Sequence, residues 1–394
     1  MTEIGVEQKQ MIDAARLIAP TLRKRARKAE SDRVIPMETL DELSEQGFFR
    51  IHQPECYGGR AWDISMMVRL GSELGQGCGS SSWVFTNLAA QNWILGMNYP
   101  EVQEEVWGNN PAALIASSFP IKGAKVERTD GGIIADGFWS FGSGIVFADW
   151  NNLQVFVPPK SGAQEAEHHF ALVQRADYTI GSENHSSGLA GIGSRMIHLD
   201  NVFIPEYRTI PLSKLMGGSS PGSEINPSPL YRLAPLPRGA KVFSSPALGI
   251  AKGGLAIIEE NLRGRNTVGN TPMAELPTAQ VRISEAGAEI DAAEALLLKD
   301  CVEAMAIAET GSLPEISERS TWRRNDAFAV QLCVRAMERL NPLVGARGLK
   351  PENEFLRRFQ DVHAVCLRSE VAWDIQALDA GRIKLGLPLL KPRM

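Results

Sequence analysis

Gly137-Phe138-Trp139-Ser140-Phe141-Gly142-Ser143-Gly144 places a Trp and a Ser four residues apart on a glycine-rich turn. The turn lies within residues 112 to 205, the long part of the chain that reads as β. Around it Leu153, Val155 and Val157 alternate with Gln154 and Phe156, and Ile197 and Leu199 flank His198, as in strands with one face inward. The block closes with Gly188-Leu189-Ala190-Gly191-Ile192-Gly193-Ser194 and the strand-like Asp200-Asn201-Val202-Phe203-Ile204-Pro205.

Both flanks read as helical. Ile12, Ala15, Leu17, Ile18 and Leu22 recur at helical spacing, and Leu40, Leu43 and Phe48 share one side of a segment opened by Pro36. Cys56-Tyr57-Gly58-Gly59 reads as a turn, and Val84 to Leu95 as an apolar helix. Beyond the β block, Ala286, Ile290, Ala293, Leu297 and Cys301 step by 4, 3, 4 and 4, and Ala327, Val330, Val334 and Met337 by 3, 4 and 3. These are the stripes of a helix bundle. The expected fold is therefore α+β, with an N-terminal helical domain over 1–110, a β-barrel or sandwich over 111–212 and a C-terminal helix bundle over 213–394. The loop 213–245, rich in Ser, Pro and Gly, is expected at the surface over a binding site.

With 394 residues, 44% of them hydrophobic, the chain has ample material for a core, and length alone suggests two or three domains. A net charge of -5 and scattered basic residues argue against a nucleic-acid footprint, and Arg23-Lys24-Arg25-Ala26-Arg27-Lys28 reads as a solvated helix face. Five distant cysteines without ligand spacing suggest buried free thiols in a reducing compartment, with no metal site. His168-His169 is expected in an exposed polar strip and, as adjacent residues point apart, not as a chelate. No stretch reads as the ~20 apolar residues of a membrane span, so the expected location is cytoplasmic. Dinucleotide, P-loop, nucleophile-elbow and HExxH signatures do not occur.

Several motifs, taken in order, resemble the acyl-CoA dehydrogenase superfamily. Pro54-Glu55-Cys56-Tyr57-Gly58-Gly59 is similar to its P-x-x-Y-G-G turn, and Gly188 to Ser194 to its G-L-R-G-T-G-S turn, with Ala190 in place of the Arg. Arg265-Asn266-Thr267-Val268-Gly269 with Gln280 resembles R-x-x-F-G…Q. Gly345-Ala346-Arg347-Gly348 and Arg358-Phe359-Gln360-Asp361 resemble the closing segments. Cys78-Gly79-Ser80-Ser81-Ser82-Trp83 and the Gly137–Gly144 turn look closest to the reduced-flavin-dependent monooxygenases, the oxygenase components of two-component hydroxylases.

That resemblance implies FMNH2 or FADH2 supplied by a separate reductase, O2 activation through a flavin C4a-hydroperoxide, and oxygen insertion into a small aromatic substrate. It assigns Ser143 to the flavin N5 region, Trp139 to the ring, and Ser117 and Ser118 to the pyrimidine edge. Arg265 would reach the flavin phosphate of a neighbouring subunit, with Gln280 and Arg347 also at the cofactor, which implies a homo-oligomer, most simply a tetramer. Gln91, Asn92, Trp93 and Arg368 would line the substrate pocket.

Two departures stand out. The place of the dehydrogenases' catalytic Glu, counted from Asp361, is Ser369, and Glu370 is one residue off, turned by about 100° if the segment is helical. The hydroxylases' two histidines fall on Gln91 and Arg368. Arg368 cannot be a base at neutral pH, so the expectation is that it holds a substrate anion or developing phenolate. Along a helix neither Glu370 nor Asp374 would face it. An amine N-hydroxylase, an acyl-CoA dehydrogenase-like oxidoreductase and a non-enzymatic binder remain the alternatives.

Overall fold

The computed structural model describes residues 4–121, 123–159, 165–183, 185–234, 241–267 and 269–389. Val268 and residues 235–240, which belong to a quoted motif and to the 213–245 loop, lie outside the described residues.

The N-terminal stripes form helices. α1 (Val6–Asp32) buries Ile12, Ala15, Ile18 and Leu22, whereas Leu17, expected in the same stripe, is 81% exposed. Its basic run does face outward, with Arg25 on Glu42 and Arg23 on Glu260 and Glu354. α2 (Met37–Glu45) buries Leu40 and Leu43. α3 (Ser65–Gly77), α4 (Gly79–Gly96) and α5 (Pro100–Trp107) follow. α4 is apolar all round and buried almost throughout, so it runs through the interior and not along a surface.

The strands are β1 (Ile115–Pro120), β2 (Lys125–Thr129), β3 (Gly132–Gly142), β4 (Trp150–Val157), β5 (Glu167–Gln174), β6 (Thr179–Glu183), β7 (Arg195–Pro205) and β8 (Thr209–Pro211). Their order is β6-β7-β3-β1-β4-β5-β8, with β2 on β3. β1 joins two sheets: Ile115 to Ser118 run parallel to β4, while Phe119 and Pro120 pair antiparallel with Ser140 and Trp139 of β3. Leu153, Val155, Val157, Ile197 and Leu199 are buried and Phe156 is 54% exposed, as the alternation predicts, whereas Gln154 on the other face is buried too, at the cavity wall. His168 and His169 do not form an exposed strip. His168 stacks on Phe156 and His169 is buried with Nε2 3.0 Å from Glu167, because β5 lies inside its sheet between β4 and β8.

The C-terminal helices are α6 (Lys241–Arg263), α7 (Pro277–Glu309), α8 (Ile316–Val344), α9 (Glu354–Cys366) and α10 (Trp373–Lys384). Both predicted stripes are buried along their length. α6 is long and apolar enough to span a membrane by length and composition, contrary to the sequence expectation, but 78% of its apolar window is buried in the protein, as in a core helix. The described part of the 213–245 loop is also not only a surface flap. Leu215, Leu230, Tyr231 and Leu233 are buried in the core, Trp93 Nε1 donates to Leu230 O at 2.9 Å, and the Tyr231 hydroxyl donates to His52 O at 3.1 Å. Of the five cysteines, all free, Cys78, Cys301 and Cys333 are buried, Cys366 is half-buried and Cys56 is exposed.

Candidate active site

The quoted turn shapes the site. Register between β3 and β7 shifts between Trp139 and Gly142, a bulge that breaks the inward–outward alternation. Within it Phe141 sits at φ +63°, strained for a bulky residue, and past it Gly144 at +71°. Gly144 N–H donates to Ile192 O at 3.0 Å, tying this turn to the Gly188–Ser194 turn. Between them opens a cavity of about 290 Å³, lined by α4, β1, the β3 turn, the Gly188 turn, the start of α6 and the segment after α9.

The walls are mostly apolar: Trp83, Phe119, Phe141, Phe170, Leu189 and Phe243. The polar groups on them have restricted roles. Trp83 Nε1–H donates to Ser143 Oγ at 3.0 Å, so the Ser143 hydroxyl proton remains for a ligand. Gln91 Oε1 accepts from Asn152 Nδ2 at 3.0 Å, which leaves its NH2 as the free end. Arg368 enters from the last wall, its guanidinium carbon 5.8, 5.3 and 5.2 Å from the ring centroids of Phe119, Phe141 and Phe243, a cation on aromatic faces.

The expectation that Glu370 turns away from Arg368 fails. α9 ends at Cys366, and residues 367–371 form turns, so helical offsets do not apply. Both Arg368 and Glu370 line the cavity, with Arg368 Nη2 3.5 Å from Glu370 Oε1, while Ser369 is exposed and donates to Glu370 Oε2 at 3.1 Å. Arg368 Nε–H is buried with no partner among the described residues.

Ser117, Gln91, Trp93, Ser143 and Arg368 thus meet in one cavity. Other expected residues do not reach it. Trp139 points to the opposite side of β3, wholly buried in the sheet–helix core, with its indole N–H on Gln154 O at 3.0 Å. Asn92 donates to Phe49 O at 2.7 Å, since α4 turns it away from Gln91, and Ser118 bonds Asn151 because β1 alternates it with Ser117. Gln280 caps a turn through Ala274 O. Arg265 and Arg347 lie near each other, and burial, then the charge of Arg347, pull the Arg265 pKa below its usual value. Neither has a carboxylate partner among the described residues. Trp83, Phe119, Phe141, Phe170, Phe243 and Glu370 are among the lining residues sequence reasoning did not assign.

Arg358 and Asp361 act behind the wall. Arg358 donates to the Gly75, Gln76 and Gly77 carbonyls at the end of α3, and Asp361 Oδ1 accepts from Leu189 N–H at 2.6 Å. Burial pushes the Asp361 carboxyl up to about 6. Asp361 thereby fixes the Gly188 turn against α9, and Arg358 fixes the end of α3 to the same helix.

The model of the acyl-CoA dehydrogenase N-terminal domain matches residues 6–107, and that of the acyl-CoA dehydrogenase C-terminal domain matches 241–372. The chain belongs to the acyl-CoA dehydrogenase family. Within it, the chain is 33% identical over 381 residues to the oxygenase component of the FADH(2)-dependent resorcinol hydroxylase of a Rhizobium species, covering 94% of this chain and 92% of the relative. It is 30% identical over 379 residues to the oxygenase component of p-hydroxyphenylacetate 3-hydroxylase from Acinetobacter baumannii, covering 96% and 89%. The crystal structure of 3-HSA hydroxylase from Rhodococcus sp. RHA1 superposes with a TM-score of 0.90 at 28% identity, over 98% of this chain and 99% of that one. The family branch is that of the flavin-dependent oxygenase components.

An acyl-CoA dehydrogenase-family flavin needs apolar walls for its rings and donors at its polar edge. The cavity has both: Phe and Leu side chains, and a Ser143 hydroxyl whose proton has no acceptor among the described residues. The residues present fit the group.

Proposed function

We propose that this chain is the oxygenase component of a two-component system, taking reduced flavin from a separate reductase and hydroxylating a small aromatic compound. Ser143 carries this reading. Its oxygen accepts from the Trp83 indole, which leaves its proton free to turn into the largely apolar cavity, as a donor to a bound ring nitrogen requires. The FADH(2) dependence named for the Rhizobium relative supports FAD, with FMN the other candidate. When bound, reduced flavin supplies the activation of O2. The protein's part is to hold and screen it. Ser143 and Ser117 would bond its polar edge, Leu189 and Phe141 would exclude water, and Gln91 NH2 and Arg368 would present donors to the substrate. Positioning and water exclusion are what a site of this kind contributes to such chemistry.

Arg265 with Arg347 would take the flavin phosphate of a neighbouring copy, since two adjacent guanidinium groups without a carboxylate partner make an anion site. We therefore infer a homotetramer. The free thiols support a reducing, cytoplasmic location.

The test is to load the protein anaerobically with FADH2, add phenols, indoles or amines, and admit isotopically labelled O2. One labelled oxygen in an aromatic product is expected. Reduction of oxidised flavin by an acyl-CoA, with no labelled product, would overturn the proposal in favour of a dehydrogenase. Labelled hydroxylamine alone would point to N-hydroxylation.

A further inference from the structure

Phe243 is a wall residue that meets two others. Its ring centroid lies 5.0 Å from that of Trp83, the partner of Ser143, and 5.2 Å from the Arg368 guanidinium carbon. It stands on the opening turn of α6, which other helices hold in place. Pro246 has no N–H to give, so Val242 O accepts from Thr86 Oγ1 of α4 instead, at 2.8 Å. On the side of α8, Lys241 Nζ and Ser244 Oγ both donate to Asp326 Oδ1, each at 2.8 Å. Residues 241, 242 and 244 are thus each fastened to a neighbouring helix, and Phe243 stands among them with its ring on the cavity.

The Lys241 and Asp326 side chains are 5% and 2% exposed. Such a pair is a poor way to stabilise a fold, because the desolvation of both charges offsets their attraction, and well-packed apolar side chains of similar size are often as stable. What the pair adds is direction, since Asp326 Oδ1 can be met by both donors in one arrangement of the turn. From this geometry we infer that Lys241 and Asp326 are positioning residues of the oxygenase site: they set the place of the Phe243 ring between Trp83 and Arg368, and with it the shape of the wall a substrate meets. Their role in the reaction rests on the oxygenase reading; the placement of the ring does not.

A second carboxyl bears on the same pair. Asp300 of α7 accepts from Asn325 Nδ2 at 2.9 Å through Oδ1, and its buried Oδ2 has no partner among the described residues. The groups facing it are Lys241 from α6, Asp326 and Asn325 from α8, and Cys301 and Lys299 from its own helix, the Lys299 ammonium 3.9 Å away. Arg323 acts in turn on Asp326, and Asp63, ahead of α3, on Cys301. Burial raises the Asp300 carboxyl to about 7. While Asp300 is neutral, Lys241 answers to Asp326. Once Asp300 ionises, two carboxylates draw on one ammonium, and the turn that carries Phe243 shifts with it.

The experiment places para-fluorophenylalanine at Phe243 in the full-length protein and follows it by fluorine NMR, both flavin-free and loaded with FADH2 under argon. The same label at Phe170, on another wall of the cavity, is the control. Lys241→Met with Asp326→Leu replaces the pair by apolar side chains of similar size. In that double variant the label at Phe243 should move or split, the label at Phe170 should stay, and the melting temperature should change by a few degrees at most. In wild type the Phe243 line should also move as pH rises across about 6 to 8, around the Asp300 value, and in Asp300→Asn it should not. An unmoved Phe243 line in the double variant, equal movement of both labels, or failure of that variant to fold would each overturn the inference. So would a pH response absent from wild type or kept in Asp300→Asn. Labelled-oxygen incorporation is measured apart from the spectra, so loss of the oxygenase reading leaves the placement of the ring standing.

Discussion

Removing the indole N–H from Trp83 while keeping an aromatic ring should uncouple oxygen use from product formation. Trp83 is 4% exposed and Ser143 8%, and the 3.0 Å bond between them sets which way the hydroxyl points. Trp83→Phe deletes one buried neutral hydrogen bond, about 1 kcal/mol, and leaves a small void beside Phe243, whose ring centroid is 5.0 Å away. Ser143→Ala instead strands the indole N–H in a buried site, costing about 1–3 kcal/mol unless a ligand meets it. Because both changes break the same bond, the double variant should be more stable than the sum of the singles predicts, by about 1 kcal/mol. A hydroxyl free to rotate away from the flavin loses a similar free energy at the reacting centre, roughly a fivefold effect on rate. Hydrogen peroxide released per O2 consumed should therefore rise by about that factor in Trp83→Phe, with Ser143→Ala and the double variant alike. Urea unfolding and paired oxygen and product measurements give both quantities. Additive stabilities, or unchanged coupling in Trp83→Phe with lost coupling in Ser143→Ala, would show that the indole does not orient the hydroxyl.

Two other outcomes follow from groups away from the cavity. Asp300 is buried beside the Lys241–Asp326 ion pair, and burial raises its carboxyl to about 7. A carboxyl whose folded pKa lies above its unfolded value favours folding below the unfolded pKa and loses that contribution as pH rises through the folded one. Wild type should therefore lose a few kcal/mol at most between about pH 4 and 7, and Asp300→Asn, which still accepts from Asn325, should lose less; urea midpoints at pH 5 and 8 giving equal slopes for both would refute it. Arg265→Gln should weaken flavin binding without changing the melting temperature, and sedimentation should show a tetramer; a monomer that binds reduced flavin with wild-type affinity would rule out a neighbour's phosphate at Arg265.

The helices were legible because their stripes are regular. Every residue of Ala286, Ile290, Ala293, Leu297 and Cys301 is at most 2% exposed. The strands were legible for the same reason, and the order of motifs along the chain led to Ser143, Gln91, Trp93, Ser117 and Arg368 in one cavity. Trp139 was assigned to the ring by resemblance, and the strand turns it away: Ile133, Ala135 and Trp139 share the buried face of β3, and the bulge before Gly142 leaves Phe141 and Ser143 on the cavity side. Asn92 and Ser118 failed through simple geometry: each neighbours a lining residue, and the next residue on a helix or strand faces elsewhere. Glu370 was hidden because Cys366-Leu367-Arg368-Ser369-Glu370 carries no Gly or Pro to announce the end of α9.

The residues that carry the family motifs and those of the Arg368–Glu370 segment lie on different parts of the site. Arg358 closes the carbonyl end of α3, Asp361 holds Leu189 N–H, and Gly144 bonds Ile192, so the family motifs fasten the walls together. The walls they fasten carry positive-φ residues, Phe141 at +63° and Leu189 at +52°. Such conformations cost about 1–3 kcal/mol each and persist only where surrounding bonds over-determine them. That rigidity gives the Arg368 guanidinium a fixed aromatic enclosure, with rings contributed by β1, the β3 turn and α6. Arg368 and Glu370 themselves sit on turns after α9, where a change of one residue alters donors and acceptors without disturbing the frame. A scaffold of this kind can vary that short segment, which here holds Arg368 and Glu370, and keep its fold.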